Sequence, residues 1–411
     1  MTDVAAIDFA RWLRPGDTVL WGQANAEPRT LTRALVAQRH ALARLRLVLG
    51  IDLSRTLQPE HADAFDFASY CGAGGNRALA GAGVLDILPC SYSQLPALLR
   101  QGSLKVDVVL LQVSMPDAQG RYSLGLANDL LIAALDSARV VIAECHPDVP
   151  WTHGARTLAA DDFDLLVHAA EPPLENLPAP SCAISAAIAR NVAQWIDDGA
   201  TLQLGLGAIP DAVLALLGDR RDLGLHSGVI GDGVVDLFER GVLTNARKSI
   251  DAGTGIAGVL MGSQRLYRFA HRNPALQLRG SDYTHAADVL RRIDRFVAIN
   301  SAIEVDLSGQ VNAEVAGGNY VGAVGGAPDF IRAAQASQGG ASIIALPATA
   351  GARSRIVVRL SGPVSTPRCD AGIFVTEHGI ADLRGLGLEQ RRQRLLDIAA
   401  PEHRAALEAQ A

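Results

Sequence analysis

Short apolar runs alternate with longer amphipathic segments along the first part of the chain. A run of about four to eight consecutive apolar residues is typical of a buried strand. Such runs predict strands at residues 18–22, 45–49, 106–113 and 139–144. Between them, residues 30–38 and 130–137 have the pattern of helices. Strands that alternate with helices favour an α/β domain with a largely parallel sheet.

The alternation stops at residues 171–181, where four prolines fall within nine residues. Proline at this density breaks both helices and strands, so we interpret the segment as an interdomain linker. The opening pattern then returns, because residues 199–205 match residues 16–22 at a constant offset of 183 positions. This repeat predicts two halves with one α/β plan, at 1–175 and 182–411. A ligand site between them is expected at the carboxyl ends of the strands.

The second half contains the stretch with the most chemical potential, residues 295–330. It begins as an apolar strand, and Glu304 is set into the apolar patch that follows. A buried carboxylate needs hydrogen-bond partners or a functional role. Residues 309–326 then contain six glycines and a single charge, Glu314, so backbone amides there can come close to a ligand. The alternative is that Glu304 occupies the polar face of a strand and the glycines only form turns.

The composition is that of a globular protein with a large core. The chain has 411 residues, of which 49% are hydrophobic and 19% are charged. Aromatic residues make up only 5%, so Val, Leu, Ile and Ala should fill the core, as in buried parallel strands flanked by helices. The formal net charge of −6 argues against broad binding of nucleic acid.

Cysteine usage and the amino-terminal sequence predict a cytoplasmic protein. No two cysteines form a C-x-x-C pair, and an odd number at wide spacing fits reduced thiols. The five positions are Cys71, Cys90, Cys145, Cys182 and Cys369. The first twenty residues lack the pattern of a signal peptide, and no run of apolar residues is long enough to suggest a membrane span.

Three common chemical motifs are missing from the sequence. The histidines of the second half show no metal-binding spacing, so no metal site is predicted. No G-x-S-x-G motif indicates a serine hydrolase. Gly205 and Gly207 follow a predicted strand, but Pro210 stands where a dinucleotide fingerprint has its third glycine. A tight strand-to-helix turn would explain these two glycines.

Glu304 could be a base, a metal ligand, a structural acceptor or a nucleophile, and the nucleophile fits best. A carboxylate that attacks a thioester gives a mixed anhydride and a thiolate, and the thiolate can attack again to leave a glutamyl thioester. Such a reaction needs backbone N–H groups directed at the developing oxyanion. The glycines at Gly325, Gly326 and Gly379 could supply them.

Several segments, in order along the chain, resemble motifs of the acetyl-CoA hydrolase/transferase family of coenzyme A transferases. This family includes 4-hydroxybutyrate and acetate CoA-transferases, and the resemblance extends over nearly the whole chain. The segments are residues 93–96, 111–120, 123–125, 204–210, 232–237, 300–310 and 375–385.

The resemblance implies two similar open-sheet α/β domains of the CoA-transferase (NagB/RpiA-like) type. It implies an enzyme that moves CoA between an acyl-CoA and a short-chain carboxylate through a glutamyl-CoA thioester on Glu304. Gly379 would supply an oxyanion-hole amide. The CoA thioester is then a substrate, and no permanently bound cofactor is expected. The resemblance implies a homodimer as well, whereas the cytoplasmic location and the absence of nucleic-acid and membrane partners are expected from the cysteines, the net charge and the apolar pattern described above.

The family pattern also places the substrates. The acceptor acid is expected near Gln23, Asn25 and Pro28. The glycines expected to contact CoA are Gly205, Gly207, Gly322, Gly325 and Gly326.

The chain departs from the family pattern at two places, and both bear on acyl-group preference. Members usually have a Glu in the loop at residues 226–232, where this chain has Gly228 and Gly231. His378 stands where Tyr or Gln is more usual.

Two alternative functions stay open. One is an acyl-CoA hydrolase on the same scaffold, with water in place of the acceptor acid. The other is a non-enzymatic effector-binding module, which would need a DNA-binding helix-turn-helix or a basic arm; the arginines near the carboxyl terminus alternate with Glu and Leu and indicate a solvated helix face.

Overall fold

A computed structural model describes residues 7–410 of the protein. The chain divides into two compact units. The first contains the chain up to Asn176, together with Ile256–Thr284 and Asn319–Ala323. The second contains Leu177–Gly255, His285–Gly318 and the chain from Val324 onward. The units thus change at residues 176 and 177, inside the proline-rich segment, and two later segments are counted with the first unit.

Helices and strands alternate through the first 176 residues. The strands are β1 (Thr18–Trp21), β2 (Leu45–Leu49), β3 (Phe65–Ser69), β4 (Leu85–Ile87), β5 (Val108–Val113), β6 (Tyr122–Ser123), β7 (Val140–Cys145), β8 (His153–Gly154), β9 (Thr157–Leu158) and β10 (Leu165–His168). The α-helices are α1 (Arg29–Ala37), α2 (Asn76–Gly81), α3 (Leu95–Arg100) and α4 (Leu131–Ser137).

The rest of the chain contains longer helices and many short strands. The strands are β11 (Thr201–Leu204), β12 (Gly224–Leu225), β13 (Val229–Ile230), β14 (Gly255–Ala257), β15 (Val259–Leu260), β16 (Leu276–Leu278), β17 (Phe296–Asn300), β18 (Glu304–Asp306), β19 (Val311–Asn312), β20 (Val315–Ala316), β21 (Asn319–Tyr320), β22 (Ala341–Ala345), β23 (Thr349–Ala350), β24 (Arg353–Ser354), β25 (Ile356–Val357), β26 (Ile373–Thr376) and β27 (Gly379–Asp382). The α-helices are α5 (Ala183–Ala193), α6 (Ala208–Leu216), α7 (Gly233–Glu239), α8 (Gln264–Ala270), α9 (Ser281–Thr284), α10 (Ala287–Leu290), α11 (Ala327–Ala336), α12 (Leu388–Asp397) and α13 (Pro401–Gln410).

The first unit is built on a seven-stranded parallel sheet in the order β10-β7-β5-β1-β2-β3-β4. The interior strand β5 is buried along its whole length, as its sequence predicts, which is Val and Leu except for Gln112. The segment around β16 is counted with this unit, where β16 pairs in parallel with β8. The core of the unit consists mainly of Leu, Val, Ile and Phe side chains.

The second unit is built on a six-stranded sheet in the order β12-β11-β17-β22-β26-β27. Its first five strands are parallel, and β27 returns antiparallel to β26 through a tight hairpin. Two apolar clusters pack against this sheet, and one of them contains Val305, directly after Glu304. The sheet therefore provides a rigid base for the segment that follows β17.

The two sheets have one plan, as the sequence repeat predicts. Strands β1 and β11 stand at the same offset of 183 positions, and each is followed by a helix, α1 or α6. The next strand, β2 or β12, adds on one side, and the later strands β5, β7 and β10 or β17, β22 and β26 add in order on the other side. The prediction of two similar open-sheet α/β domains is confirmed.

No helix within residues 7–410 combines the length and hydrophobicity needed to cross a bilayer.

Candidate active site

The parallel strands of the second sheet end at a common edge, and several glycines and two glutamates follow the strands there. The loop after β11 contains Gly205 and Gly207, the loop after β12 contains Gly228, Glu304 comes shortly after β17, and Glu377 directly follows β26. Ligands of open α/β sheets bind at this carboxyl edge. The second unit thus collects the predicted nucleophile and two of the predicted glycines at the edge where a ligand is expected.

Glu304 lies on β18, the central strand of a small three-stranded sheet in the order β19-β18-β25. Its side chain is only 8% exposed. Antiparallel pairing places it opposite Asn312, whose Nδ2 donates to Glu304 Oε1 at 3.0 Å. A polar turn at residues 307–310 connects the two strands, and Asp306 accepts the Ser308 and Gln310 amides. The hairpin therefore supplies the first partner of the carboxylate.

Three further donors reach the same oxygen of Glu304 from one distant loop. The Ser361 amide donates to Oε1 at 2.5 Å, the Ser361 hydroxyl at 2.9 Å and the Gly362 amide at 3.3 Å. Among the described residues, no donor reaches Oε2. The carboxylate is therefore fixed through one oxygen, and the other oxygen has no protein donor.

Arg355 holds the backbone directly before Glu304. Its Nε donates to the carbonyl of Ile303 at 2.8 Å, and its Nη2 donates to the carbonyl of Ala302 at 2.5 Å. The Arg355 carbonyl accepts the amide of Val305 at 2.8 Å. Burial lowers the pKa of Arg355 from its ordinary value, and the charge of Glu377 acts in the opposite direction. The strand that presents Glu304 is thus held on both sides of that residue.

The glycines predicted to serve as amide donors have distinct local roles. Gly325 has a φ of +59° and Gly379 a φ of +148°, so glycine suits both turns. Gly326 immediately precedes α11, and a Cβ there would lie 2.4 Å from the ring of His285. The backbone donors to Glu304 in the described chain are Ser361 and Gly362 rather than these glycines.

His285 fills the space between two glycines of the second unit. A Cβ on Gly228 would lie 2.8 Å from its ring, and one on Gly326 would lie closer still. The ring packs on Phe330 with centroids 4.5 Å apart. Burial lowers the pKa of His285 to about 3, so the imidazole is neutral near pH 7. A side chain at position 228 would therefore require His285 to move.

Gly205 and Gly207 form an open turn between β11 and α6. Gly207 has a φ of +119°, and a Cβ on either glycine would meet no atom within 4 Å. The strand-to-helix turn considered above is therefore present, and steric crowding does not explain why these two residues are glycines.

In the first unit, Gln23 belongs to a buried network of polar side chains. Its Nε2 donates to the Tyr92 hydroxyl at 2.6 Å and to Asp129, and its Oε1 accepts from the Tyr70 hydroxyl at 2.7 Å. The amide of Ile51 donates to Oε1 as well, at 3.0 Å. Burial raises the pKa of the Asp129 carboxyl. Both ends of the Gln23 amide are thus engaged inside the protein.

Asn25 and Pro28 shape the same loop after β1. Asn25 is fully buried, and its Nδ2 donates to the carbonyl of Leu174 at 2.7 Å and to the hydroxyl of Tyr267 at 2.6 Å. Pro28 immediately precedes α1. Gly322, in a later segment of this unit, accepts the Gly72 amide at 2.8 Å. The predicted residues Gln23, Asn25, Pro28 and Gly322 therefore lie in the first unit, and the other predicted site residues lie in the second.

Four residues that bind Glu304 or hold the backbone before it were not predicted from the sequence: Asn312, Arg355, Ser361 and Gly362. The hairpin signal at residues 306–310 could have paired Asn312 with Glu304. Glu377 falls inside one of the family motifs, and its Oε2 accepts the Ala348 amide at 2.9 Å. Arg355 and Ser361 are more than fifty positions from Glu304 along the chain, and no local pattern connects them to it.

Within residues 7–410, no group of three or more His, Cys, Asp or Glu side chains has the arrangement of a metal site.

Comparison with known families decides the identity of the fold. The sequence model of the acetyl-CoA hydrolase/transferase N-terminal domain matches residues 4–173, and the model of the C-terminal domain matches residues 262–411. The chain belongs to the acetyl-CoA hydrolase/transferase family. The family resemblance inferred from the sequence motifs is therefore confirmed.

Several family members resemble the chain over nearly its whole length. A 4-hydroxybutyrate coenzyme A transferase from Clostridium kluyveri is 39% identical over 396 residues, which cover 95% of this chain and 92% of that protein. By contrast, an acetyl-CoA hydrolase from Kluyveromyces lactis matches only part of the chain, being 28% identical over 248 residues, which cover 56% of this chain and 45% of that protein.

Solved structures of the family have the same fold. RipA from Yersinia pestis superposes with a TM-score of 0.92 at 33% identity, covering 97% of this chain and 94% of RipA. A 4-hydroxybutyrate CoA-transferase from Porphyromonas gingivalis gives a TM-score of 0.81 at 34% identity, covering 98% of this chain and 94% of that one.

Proposed function

We propose that this protein is a CoA-transferase that moves CoA between an acyl-CoA and a short-chain carboxylate. The observation that carries the proposal is the near full-length similarity to the CoA-transferase of Clostridium kluyveri, which extends across both α/β units. The similarity to an acetyl-CoA hydrolase is lower and covers about half of the chain. Transfer to a carboxylate is therefore favoured over hydrolysis.

In this proposal Glu304 is the nucleophile, and its Oε2 attacks the thioester carbonyl of the acyl-CoA. The C–S bond breaks to give a mixed anhydride and CoA thiolate. The thiolate then attacks the glutamyl carbonyl, which releases the carboxylate of the first acyl group and leaves a glutamyl-CoA thioester. The hydrogen bonds to Oε1 support this assignment because they orient the side chain and leave Oε2 without a protein donor.

The donors to Oε1 have a second role in the proposed reaction. When the thiolate or an acceptor carboxylate attacks the glutamyl carbonyl, negative charge develops on Oε1. The Asn312 amide and the backbone N–H groups of Ser361 and Gly362 already point at this atom. Preorganised donors of this kind stabilise a developing oxyanion. We assign Gly379, Gly325 and Gly326 to the other carbonyl, that of the substrate thioester.

The remaining glycines and the loop after β1 are proposed to bind the substrates. Gly205 and Gly207 offer open backbone for CoA, and Gly322 is assigned to CoA with them. Because the donor groups of Gln23 and Asn25 are both engaged inside the protein, neither side chain has a hydrogen to donate to the acceptor acid, and the loop that ends at Pro28 would contribute shape. We also propose a homodimer, as the family resemblance implies, which light scattering of the purified protein would test, and a cytoplasmic location, as the cysteine usage predicts.

The direct test of function is CoA transfer from acetyl-CoA with and without a carboxylate acceptor. Acetate, propionate, butyrate, 4-hydroxybutyrate and succinate serve as acceptors, with isotopically labelled acetate for the identity reaction. We expect consumption of acetyl-CoA that depends on the acceptor and yields the matching acyl-CoA. Release of free CoA at full rate without any acceptor would support the hydrolase instead. No turnover under either condition would support a binding module.

A further inference from the structure

Arg355 lies beside Glu304 on the small sheet of the second unit. It directly precedes β25, which pairs in parallel with β18 in the register Val305 to Ile356. Glu304 and Arg355 each stand one position before that pair. Since side chains alternate between the faces of a sheet, these two leave the same face. The Arg355 guanidinium donates to the two backbone carbonyls directly before Glu304, so a cationic group lies against the backbone that presents the proposed nucleophile.

The guanidinium of Arg355 is only partly satisfied. Nε and Nη2 donate to the carbonyls of Ile303 and Ala302, and within the described chain Nη1 has no hydrogen-bond acceptor. Among residues 7–410, no carboxylate oxygen lies within ion-pair distance of the Arg355 guanidinium. Its side chain is half-buried, and burial lowers its pKa. A half-buried cation without a carboxylate partner is unfavourable, so an anion that accepts a hydrogen bond from the free Nη1 would be stabilised here.

The proposed reaction brings an anion to this place. In the glutamyl-CoA intermediate Glu304 carries no charge, so it does not repel the acceptor carboxylate that must enter. We propose that the free edge of the Arg355 guanidinium binds the carboxylate of the acceptor acid and directs one of its oxygens at the glutamyl carbonyl. This inference rests on the function proposed above and identifies the group that selects an anionic acceptor.

The step balances without a further reactant. An oxygen of the acceptor carboxylate bonds to the glutamyl carbon, the C–S bond breaks, and CoA leaves as the thiolate. The thiolate attacks the acyl carbon of the new anhydride, which gives the product acyl-CoA and returns Glu304 as a carboxylate. Arg355 keeps its proton throughout, because it orients the anion and exchanges nothing with it.

The test compares an anionic with a neutral acceptor in Arg355→Gln, Arg355→Lys and a control, Arg353→Gln. Arg353 is exposed two positions earlier, so its change removes the same charge from the same segment. Loss of a charge-assisted hydrogen bond should raise the KM for acetate about tenfold or more in Arg355→Gln. Hydroxylamine, a neutral nucleophile near pH 7, should cleave the glutamyl thioester at the wild-type rate. The KM for acetate of Arg355→Lys should lie between those of the wild type and Arg355→Gln, and that of Arg353→Gln should match the wild type.

Two results would overturn the assignment. One is an unchanged KM for acetate in Arg355→Gln. The other is an equal loss of reactivity towards acetate and hydroxylamine, because that pattern indicates a role only in holding the backbone before Glu304. If Arg355→Gln does not fold, the acetate-to-hydroxylamine ratio of Arg355→Lys decides the question in the same way. Failure of the proposed function would look different, since the wild type itself would then form no hydroxylamine-sensitive thioester.

Discussion

One oxygen of the Glu304 carboxylate takes all the hydrogen bonds that the described protein offers to this side chain. The donors come from Asn312 on the same hairpin and from Ser361 and Gly362 on a distant loop. A carboxylate held in this way has a single orientation, and its second oxygen lacks a donor. This asymmetry is what a nucleophile needs if one oxygen is to attack and the other is to become the carbonyl oxygen of the intermediate.

Replacement of Asn312 tests the role of these donors. Asn312→Ala removes one hydrogen bond to Oε1, and we expect kcat to fall by about 10²–10³, as when one oxyanion-hole donor is lost. The KM for acyl-CoA should change little. Steady-state kinetics provides the measurement, and Ser308→Ala, in the turn of the same hairpin, is the control. A kcat within twofold of the wild type would remove Asn312 from the proposed mechanism.

A buried acid of the first unit, Glu144, should lower the free energy of unfolding as the pH rises. Burial raises the pKa of Glu144 from 4.5 to about 8, although Glu144 Oε2 accepts the Leu31 amide at 3.0 Å. Between these values the folded protein keeps a proton that the unfolded chain releases. The contribution of Glu144 to the free energy of unfolding is therefore fully present below about pH 4.5 and is lost as the pH rises through about 8.

The variant Glu144→Gln should flatten this dependence. A neutral amide cannot ionise, and its oxygen can still accept the Leu31 amide. The melting temperature of the wild type should fall between about pH 5 and 8, and that of the variant should fall less. Glu60→Gln, at an exposed position, should follow the wild type. Parallel curves for Glu144→Gln and the wild type would show that Glu144 is ionised in the folded protein.

At the scale of elements, close packing limits which residue can stand directly before α11. Gly326 precedes the helix and lies against the His285 ring, which also lies against Gly228. A methyl group at position 326 would approach the imidazole to 2.4 Å, and the ring is already packed on Phe330. The ring therefore has little room to move, and glycine is required here for steric reasons.

Gly326→Ala should destabilise the protein by about 1–3 kcal/mol, in the range of other overpacked cores. Chemical denaturation followed by circular dichroism measures the change. Gly205→Ala is the matched control, because a Cβ at position 205 meets no atom within 4 Å, and its effect should stay within about 0.5 kcal/mol. Equal stability of the two variants would mean that His285 can leave its position without cost.

Local patterns predicted the elements well where each element is continuous in sequence. The apolar run that became β5 and the repeat that relates β1 to β11 were visible because strand burial and turn glycines are local properties. The hairpin that pairs Glu304 with Asn312 could have been predicted from its turn. The contacts from Ser361 and Arg355 could not, since they depend on the tertiary course of a loop more than fifty positions away.

At the scale of the whole molecule, the chain makes two α/β units of one plan but does not divide between them at a single point. The segment Ile256–Thr284 is counted with the first unit, where β16 pairs with β8. A pairing between strands more than a hundred positions apart leaves no periodic signal in either one. The repeat therefore predicts the architecture, whereas the assignment of this returning segment required the structure.

The most direct test of the mechanism is to identify the residue that carries CoA during turnover. The protein is incubated with acyl-CoA and then treated with borohydride or hydroxylamine, and the modified peptide is sequenced by mass spectrometry. The variants Glu304→Gln and Glu314→Gln are compared in parallel, because both replace a buried carboxylate in the same segment. We predict modification at Glu304, lost in Glu304→Gln and retained in Glu314→Gln. Modification of another carboxylate, such as Glu377, or full transfer activity in Glu304→Gln would contradict the assignment.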